Sequence, residues 1–183
     1  MAASLVERMT GAMKADVKTF TEIEADPTAI SQAVTVILIA GVATLIGNIW
    51  RIGIIGGIMM LVVNLCVYAL WSLLVVLIGT KVMPEPSTKA DFQEGFRVIG
   101  FTASPGVFNV LAIVPFLGPL ISFVIWIWMV VVAVVAVREV LDYTNTGRAI
   151  IVCIIAAAVC WIIEWMVLLP LLVGGAMLHG IFG

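Results

Sequence analysis

Residues 120–137 read LISFVIWIWMVVVAVVAV: eighteen residues without a charge, and with one hydroxyl, Ser122. As a helix rising about 1.5 Å per residue, such a run approaches the roughly 30 Å of hydrocarbon in a bilayer. Its apolar residues are continuous rather than alternating, which selects a helix over a barrel strand. Four further runs of the same kind lie at residues 29–46, 58–79, 99–114 and 149–173. Of the chain's 183 residues, 63% are hydrophobic and 11% charged. Soluble domains hold about half and a quarter, so a soluble fold is excluded. The fold class expected is all-α: a polytopic bundle of five transmembrane helices with an N-terminal amphipathic interfacial helix.

Two domains follow, an N-terminal segment at residues 1–28 and a transmembrane domain at 29–178, with a loop at about 80–98. No cleavable signal is expected, because the first apolar run opens only after Glu7, Asp16, Glu22, Glu24 and Asp26. Leu5, Met9, Met13, Val17 and Phe20 recur close to one side of a helix over residues 4–20, with Arg8 and the lysines largely away from them. Met9, Met13 and Phe20 then face either the acyl boundary or the underside of the bundle itself. Asp26-Pro27 ends the pattern and opens the first span.

The connections carry most of the remaining signals. Gly53 and Gly57 form a GxxxG near the start of span two, which reads equally as a close helix approach or as a glycine-rich turn. In the polar loop, Thr88 is placed to cap a short surface helix bearing Phe92 and Phe96. Span three is the least regular: Pro105 predicts a kink, and Asn109 is polar within it. Pro115 and Gly118 mark a tight turn into span four, and Pro170 lies within span five. Eight of the nine basic residues fall on one side of a five-span arrangement and Arg51 alone on the other. The N-terminus is therefore expected in the cytoplasm and the C-terminus outside.

Chemistry is sparse. The spans hold no carboxylate pair, no HExxH and no nucleophile with an evident base, so an enzyme is not expected. Cys66, Cys153 and Cys160 lie in apolar runs without CxxC spacing, and there is one histidine, His179; no metal site or cofactor is implied. A net charge of −2 without a basic stripe argues against nucleic acid as a partner. Glu164 is the one ionisable residue well inside a span. It reads either as a neutral carboxyl hydrogen-bonded to Asn64, Tyr68, Asn109 or a carbonyl, or as a functional contact with a partner, cation or transported proton. Trp126 and Trp128, mid-span, serve packing or a bound hydrophobic partner.

Several of these residues also form a pattern. Phe20-x-x-Ile23-x-x-Asp26-Pro27, Gly100-Phe101-x-x-x-Pro105, Pro115-x-x-Gly118, the tryptophans of span four and Thr144-x-Thr146-x-x-Ala149 together cover most of the chain. In them the chain resembles the Yip1 family, particularly its small prokaryotic members, with Phe101 where the family often has tyrosine. The resemblance implies five spans with a cytoplasmic N-terminus. Eukaryotic relatives bind small GTPases of the Rab type, but their aspartate-leucine-tyrosine-glycine-proline motif is absent here, which puts that partner in doubt. The function expected is a non-enzymatic membrane scaffold or accessory subunit in a prokaryotic inner membrane. Its partners would be the lipid bilayer and other membrane proteins or further copies of itself. The alternative is a small oligomeric transporter or channel using Glu164.

Overall fold

Each interruption of the apolar pattern becomes a turn, and the computed structural model shows what closes each one. It describes the backbone of residues 3–182 and the side chains of residues 3–166. The helices are α1 (Leu5–Met13), α2 (Val17–Ala25), α3 (Ala29–Gly47), α4 (Ile49–Leu77), α5 (Phe92–Phe101), α6 (Gly118–Val140) and α7 (Thr146–Phe182). A π turn, Ile78–Val82, extends α4, and a 3-10 segment, Ser104–Ile113, follows α5. Five stretches are long and apolar enough to cross a membrane: Ala29–Gly47, Ile49–Val82, Phe92–Ile113, Gly118–Val140 and Thr146–Met166. Pro170 falls outside the described side chains.

The N-terminal segment is two helices rather than one. Ser4 and Glu7 form a capping box at the start of α1, with the Glu7 carboxylate accepting from the Ser4 N–H at 2.8 Å. The helix stops where Ala15 takes a positive φ of 54°. The chain reverses there, and Gly11 is needed because a Cβ at that position would strike Thr19. The resulting hairpin buries what a single helix would have exposed. Phe20 and Ile23 of α2 are fully enclosed by the bundle, while Met9 and Met13 stay half-buried. Phe20 therefore packs beneath the bundle, and Arg8, expected away from the apolar side, lies enclosed within the hairpin at 1% exposure.

Helix α3 is the centre of the bundle because small residues let its neighbours come close. A Cβ on Gly100 would lie 2.8 Å from that of Ala33, and one on Gly106 would lie 2.9 Å from that of Ala40. Gly47 meets the backbone carbonyl of Asn109, and Gly57 of α4 meets Leu45. Span three thus runs beside α3 from Ala33 to Gly47. The two glycines of the GxxxG separate into two roles: Gly57 allows the α3 contact, whereas Gly53 is a kink with φ 65° and no atom nearby.

Span three begins earlier than the apolar run implies, and Thr88 does not cap it. The cap is Asp91, whose carboxylate accepts from the Glu94 N–H at 2.8 Å while Glu94 reaches back to the Asp91 N–H at 2.9 Å. With no breaker before Phe101, the capped helix continues straight into the apolar run. Phe96 is consequently buried, and only Phe92 stays exposed. The break comes where Pro105, lacking an N–H, cannot donate to the Phe101 carbonyl. The Ser104 hydroxyl donates to that carbonyl instead, at 2.7 Å, and the Thr102 hydroxyl donates to Ile99 at 2.6 Å. The Ser104 hydroxyl thereby satisfies a carbonyl that the proline leaves without its helical donor, while the Ile99 carbonyl accepts from the Thr102 N–H as well.

Candidate functional site

Among the described residues, two places combine polar groups with shape: the clasp that holds the N-terminal hairpin, and a pair of adjoining cavities among α3, α4, α6, α7 and span three.

The clasp is built around two buried arginines. Arg8 donates from Nη1 to Gln32 Oε1 (3.0 Å) and from Nη2 to Glu22 Oε1 (3.0 Å) and Asp26 Oδ2 (2.6 Å), so one side chain of α1 ties α2 to α3. Asp26 is fixed in turn by accepting from the Thr28 N–H (2.9 Å) and hydroxyl (2.7 Å). The Thr28 hydroxyl first, and then Arg8, hold the Asp26 carboxyl down to about 2. From span three, Arg97, 5% exposed, donates from Nη2 to the Glu24 carbonyl at 2.6 Å. The Glu24 carboxyl feels the charges of Glu94, Glu139 and Asp142 as well as that of Arg97. Burial, and then Asp142, Glu94 and Glu139, push the Glu24 carboxyl up to about 7 against the opposing pull of Arg97. At the hairpin's turn, the Trp128 indole donates to the Met13 carbonyl at 2.8 Å and stacks on Phe108 at 5.7 Å. Trp128 thus serves packing and the hairpin together.

The same end of the bundle is laced a second time by the loop after α4. Tyr143 donates its hydroxyl to the Met83 carbonyl at 2.7 Å, and Thr88 donates to the Leu141 carbonyl at 2.9 Å. Glu85 accepts from the Thr144 N–H at 3.0 Å, and its Oε1 lies 3.5 Å from Arg148 Nε.

The cavities lie deeper. One, of about 710 Å³, is lined by the polar side chains of Thr44, Asn48, Arg51, Asn64, Asn109 and Ser122 and by Tyr68, with Ile52, Met60 and Met129 among its apolar walls. The second, of about 560 Å³, is walled by apolar side chains including Trp71, Val130, Ala133, Cys153 and Ile154. Tyr68, Trp126 and Met129 stand in the walls of both, so the two adjoin.

The structure thus brings two of the three candidate polar residues together and leaves the third apart. Asn64 and Asn109 share the polar cavity, where the Asn109 amide donates to the Thr44 hydroxyl at 3.2 Å. Glu164 lines neither cavity. It is half-buried on α7, between Trp161 and Trp165, which meet edge-on at 6.1 Å, and among the described residues it is not bonded to Asn64, Tyr68 or Asn109. Pro115 and Gly118 form the expected turn, in which Phe116 takes φ 65° and the Gly118 N–H bonds the Val114 carbonyl at 3.0 Å. Sequence reasoning did not find Arg8, Arg97 or the Trp128 bond. The available signal for Arg97 was its place within an otherwise apolar stretch, VIGF following it directly.

The family model described as the Yip1 domain matches residues 11–178, which takes in α2 through most of α7. No curated protein and no solved structure matches the chain.

Proposed function

The chain belongs to the Yip1 family, and we propose that this integral membrane protein is a non-enzymatic scaffold or accessory subunit. It binds other membrane proteins or further copies of itself, or shapes the bilayer around it. Its place is a prokaryotic inner membrane, with the clasp end and N-terminus in the cytoplasm and the C-terminus outside. The observation that carries the reading is the Arg8 clasp: three acceptors from α2 and α3 hold the hairpin as one rigid body against the bundle. A surface already fixed loses little conformational freedom on association, so more of its contact energy becomes affinity. The outer side of that hairpin, with Ser4, Val6, Thr10, Lys14 and Thr21 exposed, is the surface offered.

Purification in mild detergent tests the proposal. The protein is expected in an assembly larger than one chain, and Arg8→Ala should reduce that assembly while the five spans still insert. Recovery as a monomer under every gentle condition would contradict a scaffold.

A further inference from the structure

The two adjoining cavities differ in chemistry along a single line. The first sets Arg51 and the polar side chains of Asn48, Asn64, Asn109 and Ser122 beside apolar Ile52, Met60 and Met129, and the other is apolar apart from Tyr68, Thr102 and the Trp71 indole. No carboxylate lines either, and Arg51 makes no salt bridge among the described residues. The side chains of Asn64 and Ser122, both in the first cavity, likewise have no protein hydrogen-bond partner among the described residues. Polar groups at membrane depth cost free energy when left without partners, so this arrangement has donors to spare for a ligand. Each volume lies within the roughly 300–1,000 Å³ of small-molecule sites.

We propose that the paired cavities bind one lipid phosphate, its anionic head in the Arg51–Asn64 cavity and its hydrocarbon chain in the Trp71–Cys153 cavity. The sign follows from the lining, since one cation without a neighbouring carboxylate selects an anion. The direction follows from which residues line which cavity: exposed Arg51 lines only the first, Tyr68 both, and Trp71, further along α4, only the second, which matches an amphiphile entering head-outward. Beyond the Gly53 kink, from Ile54 to Trp71, the α4 axis covers roughly 25 Å at about 1.5 Å per residue. A long chain is therefore accommodated better than a short one. This assignment does not depend on the scaffold reading, because the clasp and the cavities share no residue.

The test uses the full chain in phosphatidylcholine nanodiscs, with a photoactivatable lysophosphatidic acid as probe and the lysophosphatidylcholine analogue for comparison. The lysophosphatidic acid should label the walls around Trp71, Met129 and Cys153. Arg51→Gln should lower that labelling about tenfold, the loss of one charge-assisted hydrogen bond, and leave the choline probe unchanged. Ala133→Phe, which fills the apolar cavity, should lower labelling by both probes. Should that variant fail to fold, the Arg51→Gln comparison decides alone, since Arg51 is exposed on the rim. Labelling of outward-facing Ile151 and Ile162 as heavily as Cys153, or equal labelling of wild type and Arg51→Gln, would overturn the assignment.

Discussion

The two ends of this bundle are built from opposite materials. At the end bearing the hairpin, Arg8, Arg97, Tyr143 and Glu85 cross-link segments far apart in sequence through side-chain and backbone partners, with Arg8 Nε and Arg97 Nε buried without one. At the Asn48–Arg51 end the turns are held by backbone and small residues, Trp50 and Phe116 stand 84% and 100% exposed, and polar side chains open into a cavity. Spans of this composition gain little from hydrophobic burial within a bilayer, so rigidity is set by polar links and close backbone contacts. The first end is suited to presenting a fixed surface, and the second to admitting a ligand.

The contrast concerns side chains and not the backbone, and the largest effect should show this. Gly47 packs on the Asn109 backbone carbonyl, which no rotamer change can move aside. Gly47→Leu should therefore cost about 3 kcal/mol or more and leave little folded protein in detergent, by melting temperature and yield. A tolerated leucine would mean that the rim end is loosely packed throughout.

Arg8→Ala should come next. It removes three charge-assisted hydrogen bonds, one of them to the half-exposed Glu22, and a loss of about 2 kcal/mol is expected. The loss should appear chiefly as faster proteolysis at Lys14 and Lys18, with a smaller fall in the melting of the bundle, whose core still holds Phe20 and Ile23. Trp128→Phe keeps the ring on Phe108 and deletes one exposed bond to Met13, so its cost should be about 1 kcal/mol, read in the same proteolysis assay.

A further effect is in pH. In the folded chain Glu24 holds its proton up to about 7, whereas in an opened hairpin it would release it near 4.5. The folded state thus binds more protons across that window, and closure should weaken as pH rises from about 4.5 to 7 and level off above it. Glu24→Gln should flatten this slope. Asp26 acts oppositely: its contribution is present above about 4 and is lost as pH falls toward 2. Hydrogen exchange of α2 against pH measures both, and a slope unchanged in Glu24→Gln would place the titration elsewhere.

How much of this was legible follows from the range of each interaction. The five spans are written in continuous runs, and local chemistry marked the Asp26-Pro27 entry, the Pro105 break and the Pro115–Gly118 turn. Span three began seven residues early because the Asp91–Glu94 box carries a helix through the polar side chains that hydropathy treats as loop. Arg8 was misplaced because its partners, Glu22, Asp26 and Gln32, come to it only once Ala15 reverses the chain. Asn64 and Asn109 were recognisable singly as polar residues in apolar runs. Their meeting in one cavity depends on the approach of α3, α4 and span three, which Gly57, Gly106 and Gly47 permit but no local pattern announces. Glu164 drew attention by its charge, yet the cavities formed elsewhere.

The difference between the two ends is most directly measured by hydrogen–deuterium exchange on the full chain in nanodiscs, followed peptide by peptide. Residues 5–25 should exchange more slowly than residues 48–57 and 114–118 at every time point, and Arg8→Ala should erase that protection in residues 5–25 alone. A hairpin that exchanges in wild type as fast as the rim, or one unaffected by Arg8→Ala, would contradict the clasp.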